Sequence, residues 1–117
     1  MPRSAAAYLA DIVDACDAIE MVLRGVDLAR YHNERSIRSA VEREFITIGE
    51  AVASLARIDP QLSTGVTQVR LIVGFRNQLA HDYASVDDET VLAIAERDVP
   101  RLRRECAALL ETLGETD

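Results

Sequence analysis

The stretch Gly74-Phe75-Arg76-Asn77-Gln78-Leu79-Ala80-His81-Asp82-Tyr83 gathers residue types that suit phosphate chemistry. An imidazole gives or takes a proton near neutral pH. A guanidinium grips a phosphate through its planar fork and stabilises charge that builds on phosphorus. An Arg and a His on one helix therefore fit the cleavage of RNA, which carries its own nucleophile in the 2′-hydroxyl. That reaction strictly needs no bound metal and no cofactor, and the sequence holds no run with metal-ligand spacing. Asp82, Asp87 and Asp88 suit turn and cap roles instead. Plain structural roles fit the same residues: a His near a helix C-terminus caps carbonyls. An Arg on a buried helix pairs with an acid, here Glu44 or Glu50. Spacing alone leaves both readings open.

With Arg76 at zero on a helix wheel of about 100° per residue, Asn77 falls at about 100°, His81 at about 140° and Gly74 at about 160°. These three share a polar-or-small face. Ala80 and Tyr83 flank Arg76 at about 40° and 340°, while Ile72, Phe75 and Leu79 point toward a core. Asn77 is one turn from His81, so its amide is placed to orient the imidazole. Gly74 leaves room beside them for another helix or a ligand. Arg76 and His81 diverge by about 140°, so they converge on one substrate only at the helix end or through a two-fold-related copy.

Four main helices must position this motif. The first runs from Ser4, an N-cap, to Arg24, with Gly25 as the C-terminal cap. Its apolar stripe is Leu9, Ile12, Val13, Cys16, Ile19 and Leu23. Residues 26–33 read as a connection, with His32 solvated in it. Tyr8 and Tyr31 read as packing or surface residues. The second helix runs from about Glu34 to Arg57 on the stripe Ile37, Val41, Phe45, Ile48, Val52 and Leu55, and Asp59-Pro60 ends it. Gln61 to Gly65 reads as a polar loop.

The third helix, Val66 to His81 or Tyr83, carries the motif and is nearly uncharged. A helix apolar on most sides is buried on most sides, which points to a second subunit or to a central place within the monomer. Ala84 to Val86 connects it to a fourth helix capped by Asp87. There Leu92, Ala95, Val99, Leu102, Cys106, Leu109 and Leu113 form one seam. The seam stays in phase past Pro100, so the reading is a kink or short break within one rod. Arg101, Arg103 and Arg104 read as a solvated face. The expected architecture is all-α: one domain over residues 1–117, an up-and-down bundle of four main helices, with a length that suits one core and not two.

Composition narrows the classes. Hydrophobic residues make up 49% of the 117, which argues against disorder. No apolar run is long enough to cross a membrane, and Asp11 and Asp14 break the N-terminal run, so the expected location is cytoplasmic. Cys16 and Cys106 fall on apolar stripes and read as buried free thiols. A net charge of −7 argues against non-specific nucleic-acid binding. All 13 basic residues are Arg, however, and residues 60–81 contain Arg70 and Arg76 and no acid. A local electropositive site fits that window.

At this point the motif, followed by Val86-Asp87, resembles the signature of HepT-like toxins of the HEPN superfamily. The Phe45–Ala51 and Arg97–Leu102 segments match other patterns of that family in the same order, and the resemblance runs from about Tyr8 to Leu110. It implies an all-α homodimer joined through the motif helix. It implies a metal-independent ribonuclease toxin of a toxin–antitoxin pair, encoded with an MNT-type nucleotidyltransferase antitoxin. Arg76 and His81 would be the catalytic pair, Asn77 would support His81, and Tyr83 would receive AMP from the antitoxin. The chain departs from the family in two places. No aromatic residue precedes Gly74 within Val66–Ile72, and Ala84 replaces an aromatic residue after the motif Tyr. With the acidic charge, these departures keep open a non-catalytic RNA- or protein-binding module, and a purely structural bundle behind it.

Overall fold

The computed structural model describes residues 3–115, except for the side chains at positions 83 and 115. Among the described residues the regular structure is entirely helical, as expected. Six helices follow in order: α1 Ala5–Leu23, α2 Leu28–Asn33, α3 Arg35–Ile58, α4 Pro60–Ser63, α5 Val69–Asp82 and α6 Asp88–Glu115. A 3-10 turn over Tyr83–Ser85 joins α5 to α6. The four long helices are those read from the sequence, and two short ones are added.

Ser4 caps α1 by accepting the Ala7 N–H at 3.1 Å. Gly25 follows with a φ of +74°, a left-handed conformation that favours glycine at a helix end. The expected connection over 26–33 instead contains α2. Asp27 starts it by accepting the Arg30 N–H at 2.8 Å. Arg38 of α3 reaches back to the carbonyls of Tyr31 and His32 at its end. This single helical turn carries Tyr31 into the core, where it is 0% exposed. His32 is exposed but not free, because its Nδ1 lies 2.7 Å from Asp88 Oδ2. The predicted loop after Pro60 holds one helical turn, capped by Asp59.

α1 packs against both α3 and α6, while α5 packs along α3. The core joins Leu9, Ile12 and Ile19 to Val41, Val52 and Leu55 and to Val91 and Leu102. Cys16 and Cys106 are free thiols within it, and burial pushes each up to about 12. The seam of α6 buries Val99, Leu102 and Cys106 in one unbroken helix that includes Pro100. Its Arg cluster is more engaged than a solvated face. Arg103 pairs with Asp17 of α1, with Nε 2.5 Å from Oδ1, and Arg101 bonds Asp98 and Gln68.

Candidate functional site

α5 begins later than the periodicity suggests, at Val69, because Gln68 takes a φ of +60° and breaks the helix there. Such a backbone is strained for a non-glycine residue and is held by tertiary contacts. Glu105 of α6 accepts the Thr67 N–H at 2.9 Å and also takes the Thr67 hydroxyl. Arg101 donates to Gln68 Oε1 at 3.4 Å. Beyond this anchor α5 parts from α6, leaving a cavity of about 440 Å³ lined by Ile72, Phe75, Ile94 and Leu102 among others. On the α3 side, Phe75 meets Phe45 edge to face at 5.1 Å and Leu79 is buried.

Of the wheel's two faces, the one with Gly74, Asn77 and His81 is exposed, while on the other Ala80 is exposed and Arg76 is not. Arg76 is half-buried and turned toward α3. There it lies on Gly49: a Cβ built at Gly49 would come within 2.1 Å of Arg76 Cβ and 2.6 Å of its Cγ. Gly49 lies mid-helix, where glycine costs roughly 0.5–1 kcal/mol relative to alanine. The Arg76 Nε is buried and has no hydrogen-bond partner. The expected ion pair with Glu44 or Glu50 does not form. Gly49 packs directly on Arg76, whereas the neighbouring Glu50 is exposed. Sequence reasoning noticed the segment around Gly49 but not this contact. A glycine in the middle of an otherwise amphipathic helix was the signal available.

Asn77 and His81 lie on the opposite, exposed side of α5, beside an exposed Gly74 with open space around it. Among the described residues no hydrogen bond joins Asn77 to His81, so the expected orienting contact is not made. Leu71, on the same outer side, is 65% exposed. The Tyr83 side chain lies outside the described residues; its backbone opens the 3-10 turn. Gln78 donates to Ser85 Oγ at 3.3 Å, and Ser85 donates to the Asp82 carbonyl at 2.8 Å, which fixes that turn. Asp87 then caps α6 as predicted, accepting the Thr90 N–H at 2.7 Å, and that bond holds its carboxyl below the usual range.

The arrangement offers a half-buried guanidinium with an unmet N–H, an exposed imidazole, and, among the described residues, no carboxylate paired with either. Arg70 adds an exposed cation on the outer side of the same helix. No group of three or more His, Cys, Asp or Glu that would hold a metal gathers among the described residues.

Comparison with known proteins decides the lineage. The family model described as "Ribonuclease HepT-like" matches residues 12–109. The chain belongs to the HepT-like family. That match spans α1 to the last turns of α6 and contains the whole motif. Two relatives in Methanocaldococcus jannaschii, each named "Putative RNase", are 29% and 27% identical over 97% and 98% of this chain and 97% and 94% of their own. A "Probable ribonuclease HepT" of Thermococcus cleftensis is 28% identical over 88% of this chain and 93% of its own. No solved structure is a significant match. The HepT-like resemblance and the all-helical expectation therefore both hold.

Proposed function

We propose that this HepT-like chain cleaves RNA, with Arg76 and His81 as the catalytic pair. The observation that carries the reading is Arg76: a half-buried charged side chain set against α3, with its Nε buried without a hydrogen-bond partner and no ion pair among the described residues. That leaves its terminal nitrogens to meet a phosphate oxygen, which a guanidinium fork does well. His81 removes the proton of the 2′-hydroxyl, which attacks phosphorus. The P–O5′ bond breaks, and a proton from a second imidazole completes the 5′-hydroxyl. The products are a 2′,3′-cyclic phosphate and a 5′-hydroxyl end. No metal enters these steps.

The two imidazoles come from a homodimer in this reading, with the outer side of α5 as the seam. The exposed Leu71 and the open space at Gly74 support that placement. Asn77 lines the same seam and supports His81 once RNA or the partner copy orders it. The protein acts in the cytoplasm as the toxin of a toxin–antitoxin pair. An MNT-type nucleotidyltransferase neutralises it by adding AMP to Tyr83, placing negative charge where the RNA phosphate must sit. No described helix is long and apolar enough to cross a membrane, which is compatible with that setting.

The test is cleavage of end-labelled RNA by the purified protein in chelator. His81→Ala should abolish it, and product ends should be cyclic phosphate and 5′-hydroxyl. Equal cleavage by the His81→Ala variant would refute the assignment. Co-expression with the nucleotidyltransferase should add one or more AMP masses, lost in Tyr83→Phe. The net charge of −7 favours a second reading, a HepT-like module that binds RNA or protein without cutting. Salt-dependent RNA binding with no cleavage at any protein concentration would establish it.

A further inference from the structure

We propose that Gly49 is the positioning residue of the site: its missing side chain is what seats Arg76 against α3 with its guanidinium held for phosphate. The inference rests on the RNA-cleaving reading above and adds a residue to which that reading assigns no role. Its basis is steric. A Cβ at position 49 would overlap Arg76 Cβ at 2.1 Å and Cγ at 2.6 Å and stand 3.5 Å from its Cα. The first two separations lie far inside van der Waals contact. The obstructing atoms are the root of the side chain, not its flexible end, so a rotamer change of the guanidinium does not relieve them. Either α5 moves away from α3, or Arg76 leaves its seat. Gly49 itself is buried, so the contact is closed to water.

The location makes this more than packing. Arg76 Nε is buried and unpartnered, and Arg76 forms no ion pair among the described residues. The contact with Gly49 of α3, and no hydrogen bond or ion pair among the described residues, holds the stem of this side chain. Displacing it from Gly49 moves the cation off its seat, and where α5 itself yields, His81 shifts with it. Glycine in mid-helix lowers helix stability, and alanine normally raises it. At this position the sign should reverse.

The experiment combines a stability cycle with RNA binding and cleavage. Gly49→Ala should lower the thermal midpoint of the wild type. In the Arg76→Gly background the obstructing Cβ and Cγ are gone, so the same change should raise it. Activity is read well below the midpoint and normalised to folded protein. Gly49→Ala should lower kcat/KM on the order of 100-fold, as loss of one charged transition-state contact does. Binding of single-stranded RNA, measured in a His81→Ala background to prevent cutting, supplies a readout that packing alone does not move. The slope of log affinity against log salt should fall by about 0.7 in Gly49→Ala, the loss of one phosphate contact. Arg76→Ala should lose the same amount, and the double variant no more. A wild-type salt slope in Gly49→Ala, or a midpoint shift of one sign in both backgrounds, would overturn the proposal. If the wild type never cleaves RNA, the catalytic reading fails, while the stability cycle and the salt slope still decide whether Gly49 seats Arg76.

Discussion

Arg76→Met separates a functional arginine from a structural one, because the two roles predict opposite changes in stability. Methionine keeps the Cβ and Cγ that lie on Gly49, so the close approach of α5 to α3 is retained. It removes the Nε–H, which is buried without a partner. Leaving such a donor buried costs about 1–3 kcal/mol. Arg76 as a whole is only half-buried, so the lower end applies and relief should be about 1 kcal/mol. For a chain of 117 residues that corresponds to a rise of roughly 4 °C in the thermal midpoint. Over the same change RNA cleavage should fall on the order of 100-fold or more. The assays are a thermal melt at fixed protein concentration and initial cleavage rates on one RNA. A midpoint lowered by several degrees would mean that the guanidinium ties helices together. Undiminished cleavage would remove it from the reaction.

Two further outcomes follow from the α2–α3–α6 end of the bundle. Tyr31 is 0% exposed and its hydroxyl has no partner, so Tyr31→Phe should stabilise by about 1 kcal/mol and raise the melting midpoint. Burial pushes the Glu42 carboxyl above its usual 4.5, with Arg38 opposing and Asp88 adding to the rise. A raised carboxyl means that folding favours the neutral acid, so its stabilising contribution is present below 4.5 and lost as pH rises through the folded value. Glu42→Gln should therefore melt above the wild type at pH 7, with the gap closing near pH 4 in a melting series; a constant gap would exclude the linkage.

How much was legible in the sequence depended on whether the determinant was periodic. The α6 seam at Val99, Leu102 and Cys106 read correctly through Pro100, since in-phase burial outlasts one missing backbone donor. The wheel correctly separated Arg76 from His81, because helix geometry alone sets that angle. α2 escaped notice: six residues are too few to display a stripe, and its one buried side chain, Tyr31, gave no pattern. The start of α5 was misplaced because Glu105 and Arg101, distant in sequence, hold Thr67 and Gln68 outside the helix. Arg76 was expected to find an acid, and it found a glycine. Charge complementarity suggests partners by type, whereas a close approach between two helices depends on where a side chain is missing.

The split between the two faces of α5 makes the oligomeric state decisive for chemistry. Arg76 is fixed on α3, whereas His81 sits on a side that nothing in one copy covers, next to Leu71 at 65% exposure. A two-fold contact there brings two imidazoles together and counts every contact twice. Burying the exposed part of one leucine contributes about 1.5 kcal/mol, so the pair contributes about 3 kcal/mol, or roughly 150-fold in Kd. Leu71→Glu removes that term and sets two like charges facing each other across the seam. It should convert the proposed dimer to monomer in sedimentation at micromolar protein, and cleavage should fall with the dimer fraction. The helical content of each copy should stay unchanged, because Leu71 contributes little to the core of its own bundle. A Leu71→Glu protein that stays dimeric would place the seam elsewhere. A monomer with full activity would mean that one Arg76 and one His81 suffice, and the angle between them would then have to be closed by the RNA itself.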